Sequence, residues 1–152
     1  MANKFLNFYT VGLNFTFLKF LEHCNISSKV QKKFILVRNE NPETVDLLLR
    51  NGADINARKN DQMTPLHSAA TLGYAQIAEM LLQNKADVNA RDNKRNTPLH
   101  FAARIADYGV IEILLRYGAK KDLKNAEDKT PLQEADLFKG LKDYDQIFTL
   151  LK

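Results

Sequence analysis

The sequence predicts an all-α solenoid of stacked helix-turn-helix units with projecting hairpin loops, and three observations carry that expectation. Thr64-Pro65-Leu66-His67 returns as Thr97-Pro98-Leu99-His100 and again as Thr130-Pro131-Leu132-Gln133, each step 33 residues long. Ala53-Asp54-Ile55-Asn56-Ala57-Arg58 returns at the same spacing as Ala86-Asp87-Val88-Asn89-Ala90-Arg91. Residues 59–91 laid over 92–124 without a gap agree at 11 of 33 positions. Unrelated sequence would give roughly two, so the period is real.

Each element of the period has a physical reason. Thr64 and Thr97 stand where a helix N-cap belongs, with an oxygen for the first unpaired backbone amides. Pro65 and Pro98 take the first helical position, where a missing N–H costs nothing and the fixed φ suits the helix. Leu66, Ala69 and Ala70 then form a short apolar face whose alanines allow close approach of a neighbouring helix. After Gly73 a second amphipathic run follows (Ile77, Ala78, Met80, Leu81, Leu82), with Leu48-Leu49 and Leu114-Leu115 in the same places of adjoining units. Gly52 and Gly118 follow these second helices where φ is expected to be positive, and Lys85 takes that place in the middle unit.

These residues resemble the ankyrin repeat: a Thr-Pro-Leu-His opening, Leu-Leu in the second helix, then Gly-Ala-Asp-x-Asn, over about residues 28–152. The resemblance implies two antiparallel helices per repeat, a projecting hairpin-like loop, and a core made by stacking because one repeat cannot bury its own apolar face. Four repeats are expected, at about 28–58, 59–91, 92–124 and 125–152. In the first, Ser28 caps a helix bearing Val30, Phe34, Ile35 and Val37, and Pro42 opens a second bearing Val45, Leu47, Leu48 and Leu49. The last is stretched by about three residues, so that it closes on Leu150-Leu151. Residues 1–27 are read as an uncertain segment that includes a capping helix.

Composition bounds the function. The 152 residues are 45% hydrophobic and 26% charged, with 6 Gly and 4 Pro, as in a folded soluble domain rather than a linker. Net charge of +4 biases partners toward acidic surfaces without indicating nucleic acid. The single cysteine, Cys24, excludes an internal disulfide and favours a reducing, cytoplasmic setting. The apolar residues between Phe5 and Leu21 are interrupted by Asn7, Asn14 and Lys19, which argues against both a secretory signal and a membrane span. Asn14-Phe15-Thr16 and Asn25-Ile26-Ser27 match the glycosylation triplet, which carries little weight without such a signal.

Nothing in the pattern reads as catalytic. His67 and His100 lack a second ligand at metal spacing, and the resemblance implies that they hydrogen-bond locally and brace adjacent loops. His23 is uninformative, and a lone Cys24 in an apolar segment reads as a small hydrophobe. There is no phosphate-binding glycine loop and no Ser-His-Asp set. No enzyme activity, cofactor or metal is expected. The order Leu81, Asp87-Val88-Asn89 resembles the pattern that asparagine hydroxylases modify in ankyrin proteins, although the fold accounts for the same residues.

The resemblance implies that a partner meets the concave face, made of loop tips and exposed sides of first helices. Here the tips are Arg58, Asn60, Asp61 and Met63, then Arg91, Asn93, Lys94 and Asn96, then Lys124, Glu127 and Lys129. The helix positions are Thr71 and Leu72, Arg104 and Ile105, and Leu137 and Phe138. Gln62, Arg95 and Asp128 stand where the family usually has a turn glycine, which puts the loop geometry in question. Arg58, Arg91 and Lys124 are expected to form a basic ladder reinforced by Lys94, Arg95 and Arg104, beside an apolar strip of Leu72, Ile105 and Phe138. Such a face suits an acidic segment of a protein with aliphatic or aromatic anchors; inter-repeat packing explains the same features equally well. The expected function is a monomeric protein-interaction module. The alternatives are an exported effector of an intracellular bacterium acting on a host protein, and a nucleic-acid-associated protein. Interspersed acidic residues and the absence of stacking aromatics argue against the last.

Overall fold

In the computed structural model the described residues are 42–140 and 144–152. The expectations for residues 1–27, for the Ser28-capped helix, and for His23 and Cys24 therefore lie outside them. Seven α-helices follow in order: α1 (Pro42–Arg50), α2 (Pro65–Leu72), α3 (Ala75–Gln83), α4 (Pro98–Arg104), α5 (Tyr108–Arg116), α6 (Pro131–Ala135) and α7 (Tyr144–Leu151). A 3₁₀ turn, Asp136–Phe138, follows α6. No strand occurs among the described residues.

The starts of α2, α4 and α6 share one device. Thr64, Thr97 and Thr130 are extended residues before a proline at the first helical position, and each forms a capping box with the residue three places on. The Thr64 and Thr97 amides donate to Nδ1 of His67 and His100, both at 3.1 Å, and the Thr130 amide donates to Gln133 Oε1 at 2.9 Å. Helix ends are equally regular. After α1, α3 and α5 the chain closes a Schellman turn, with Ala53, Ala86 and Ala119 donating to Leu48, Leu81 and Leu114 carbonyls, each at 3.0 Å. The left-handed residue in each turn is Gly52 (φ 75°), Lys85 (φ 69°) and Gly118 (φ 87°). Lys85 thus holds a glycine conformation, as its register requires.

The helices form two stacked rows. α2, α4 and α6 pack in one row, and α1, α3, α5 and α7 in the other. α2 pairs with α3, α4 with α5, and α6 with α7 across the rows. Leu66, Leu81, Leu99, Ile111, Leu114 and Ile147 are buried at their junction, each favouring the stack by roughly 1.5–3 kcal/mol. Ala69, Ala70, Ala102, Ala103 and Ala135 are fully buried, and their small side chains let α2, α4 and α6 lie close together. The closing unit departs from the others, since α6 has only five residues before its 3₁₀ turn. α7 ends on Leu151, which is buried, and Leu150, which is half-buried against the core.

Candidate functional site

The loops that precede α2, α4 and α6 have the same construction. Lys59 donates to the Met63 carbonyl, Asp92 to Asn96 and Asn125 to Lys129, at 3.0, 3.0 and 2.9 Å. At the tips Gln62, Arg95 and Asp128 adopt φ of 64°, 60° and 62°. The turns therefore keep left-handed geometry without glycine, and the doubt those substitutions raised is removed. Neighbouring loops are tied through main-chain atoms: Asn93 N–H donates to the Asp61 carbonyl at 3.0 Å and Ala126 N–H to the Lys94 carbonyl at 2.8 Å.

The three expected ladder cations differ in what holds them. Arg58 Nη1 donates to the Arg91 carbonyl at 2.9 Å and the Gln62 carbonyl at 3.2 Å, so this exposed guanidinium also braces two loops. Arg91 is half-buried, and no side-chain hydrogen bond holds it among the described residues. Lys124 Nζ pairs with Asp128 at 3.0 Å on the surface. Among the other tip residues, the Asn60 carbonyl accepts from Asn93 Nδ2 at 3.2 Å, and Asp61 Oδ1 accepts from the Met63 amide at 3.0 Å. Met63 is half-buried, Asn93, Lys94 and Arg95 are exposed, and Lys129 pairs with Glu127 at 2.8 Å.

Two expected contact residues need correction. Asn96 is 2% exposed: its amide and side chain both bond Asp92, and its Oδ1 accepts from Asn125 at 3.0 Å, so it joins repeats instead of facing outward. Phe138 belongs to the 3₁₀ turn and packs against the core, because the early end of α6 rotates it inward. Its neighbour Leu137 is the exposed residue, at 78%, with Leu72 at 48% and Ile105 at 40%. Thr71 is exposed beside Leu72, and its hydroxyl donates to the His67 carbonyl at 2.8 Å.

Behind the loops lies a polar cluster that sequence reasoning missed. Glu134 on α6 is 5% exposed; its Oε2 accepts from Arg104 Nε at 3.1 Å and its Oε1 from Asn125 Nδ2 at 2.8 Å. Burial by itself would raise this carboxyl, but the Arg104 hydrogen bond and charge, with Asn125, outweigh it and hold it below the ordinary range. The Arg104 guanidinium lies over the Phe101 ring, 5.2 Å from its centre. In front of this cluster is a cleft of about 180 Å³, lined by Lys94, Asn96, Arg104, Asn125, Glu127 and Glu134. The available signal was a carboxylate in a short Thr-Pro-opened helix, 30 residues after Arg104; Tyr108, 39% exposed at the start of α5, gave none.

His67 and His100 are fully buried, and Nε2 of each faces the next loop, 3.2 Å from the Asn96 carbonyl and 3.0 Å from the Lys129 carbonyl. Nδ1 accepts from the threonine amide, so Nε2 carries the proton and donates. Burial depresses both imidazoles and outweighs the carbonyl that favours the proton. Their work is bracing. No group of three metal-ligating side chains occurs among the described residues, and no helix among them is long and apolar enough to cross a membrane.

A family model for ankyrin repeats matches residues 33–125 in three copies, more than half of the chain. The chain belongs to the ankyrin-repeat family. No individual curated protein matches it. Ankyrin arrays in general are protein-interaction modules and usually have no enzymatic activity of their own. In this ankyrin array the loop tips and the ends of α2, α4 and the turn after α6 carry exposed residues, as do the second-row helices at Tyr108 and Phe148.

Proposed function

We propose that this array binds a partner protein on the face made by the three loop tips and the ends of the first-row helices, and that the partner presents an acidic segment with aliphatic anchors. The observation that carries the reading is the exposure of Leu72, Ile105 and Leu137, one per unit, in units whose loops carry Arg58, Arg91, Lys94, Arg95 and Lys124. Ile105 Cδ1 approaches within 3.7 Å of where a side chain on Gly73 would begin, which places Ile105 beside the end of α2. Cations steer an acidic partner and set its register, while desolvated aliphatic contacts supply most of the affinity.

Capture from native lysate tests this, comparing wild type with two variants whose folding is checked by circular dichroism. One carries Arg58→Glu, Arg91→Glu and Lys124→Glu; the other carries Leu72→Ser, Ile105→Ser and Leu137→Ser. A protein retained by wild type and lost from both supports the reading. An unchanged captured set from both variants moves the binding face elsewhere.

A further inference from the structure

We infer that the cleft between loops 92–96 and 125–129 is a carboxylate subsite, which takes one Asp or Glu side chain of the partner on the outer edge of Arg104 and on Lys94. This deepens the reading above and rests on it. Arg104 is already fixed in place. Glu134 holds its Nε, Phe101 lies under its plane, and Nη2 makes only a long 3.5 Å contact with Asn96. Among the described residues Nη1 has no partner, and the side chain is 39% exposed. The Nη1–Nη2 edge, the one that matches a carboxylate in two parallel bonds, therefore carries no carboxylate, on a partly exposed side chain that lines the cleft and is held by its other contacts.

Glu134 does not occupy that edge, because both its oxygens are engaged behind the guanidinium. Lys94 stands exposed at the rim, with no ion pair among the described residues, and adds a second positive charge. Glu127, the second carboxylate in the lining, is paired with Lys129 at 2.8 Å, which offsets its charge at the rim. About 180 Å³ admits a carboxylate and a few waters, at roughly 30 Å³ per water. A carboxylate there keeps the part-buried Arg104–Glu134 pair intact and adds to it.

The test is an amide NMR titration of the full chain with N-acetylglutamate methylamide, with the glutamine analogue as the neutral control. The expected result is saturable shifts confined to the Arg104 Nε–H and the amides of 94–96 and 125–127, absent with the glutamine probe. Arg104→Gln weakens the apparent affinity about tenfold or more. Lys94→Gln, which touches neither Glu134 nor Phe101, weakens it about threefold and keeps the test valid if the first variant unfolds. Equal shifts with the glutamine probe, or shifts scattered over exposed lysines, overturn the subsite. Saturation of the same amides by inorganic phosphate at lower concentration overturns the carboxylate assignment. If the glutamate probe fails while captured protein is still lost from the loop-charge and leucine variants, only the subsite falls. If those variants keep their captured set, the binding-face reading falls whatever the titration shows.

Discussion

Among the described residues five other than glycine hold a positive φ, and each repays attention singly: Gln62, Lys85, Arg95, Ala106 and Asp128. A side chain bearing a Cβ costs on the order of 1 kcal/mol there relative to glycine. Lys85 is exposed, and the equivalent residues Gly52 and Gly118 show that glycine fits the same turn. Lys85→Gly is therefore expected to stabilise the fold by about 1 kcal/mol and raise the melting temperature by a few degrees in a thermal scan. A lower melting temperature would remove Lys85 from that cap. Four of the five positions were legible from register alone, since Gln62, Arg95 and Asp128 share the turn-glycine place and Lys85 follows a Leu-Leu helix. Ala106, 33 residues after Gly73, was legible in principle and was missed. Asn96 and Phe138 were misread for a different reason. A repeat alignment assigns a residue its place in a unit, but not which side chain of the next unit covers it. Asn125 decides that for Asn96, and a shortened helix decides it for Phe138.

Among the elements, the first-row helices owe their starts to a threonine amide held by the side chain three residues on. Where that side chain is histidine, the start depends on pH. The folded imidazoles of His67 and His100 are depressed below the ordinary 6.5 by burial. Their stabilising effect is therefore present above pH 6.5 and declines as pH falls toward the folded value, because the unfolded chain binds the protons. Urea unfolding should show a falling midpoint between pH 7.5 and 5.5. The double variant His67→Gln, His100→Gln should flatten that slope, since Gln133 already performs the same capping without titrating. A slope unchanged in the double variant would place the titration elsewhere. A second element-level outcome concerns α5. Its N-cap, Asp107, accepts from the Val110 amide at 2.9 Å, and a Cβ on Gly73 would lie 2.7 Å from the same carboxylate. Gly73→Ala should cost about 2 kcal/mol, combining the left-handed penalty with a disturbed cap, as read by chemical denaturation. The positions of α2 to α5 followed from Thr-Pro starts and the glycine register. The early end of α6 did not, because Leu132 to Phe138 carries no Gly or Pro to mark it.

For the whole molecule, stability resides in contacts between units, so burial and exposure should separate folding from recognition. Leu99 on α4 is fully buried, with α2 and α6 packed on either side of that helix; Leu137 is 78% exposed. Leu99→Ala is expected to cost about 2–5 kcal/mol, and Leu137→Ser to stay within about 0.5 kcal/mol while weakening partner capture. Paired denaturation and capture measurements check both; a large stability loss from Leu137→Ser would show that it packs against the stack. Many ties between units have a main-chain atom at one end at least. His67 and His100 reach carbonyls of the next loop, Asn56 and Asn89 accept from amides of Asp87 and Lys120, and loop amides reach loop carbonyls. Main-chain atoms are common to all residues, so the outward side chains at 94, 126 and 127 can be exchanged without cutting those ties, whereas the Asn93 side chain is itself a tie to the Asn60 carbonyl. The scaffold is in this sense indifferent to its own lettering at the tips. New specificities can be written there by substitution, one unit at a time, while the stack beneath goes on folding as before.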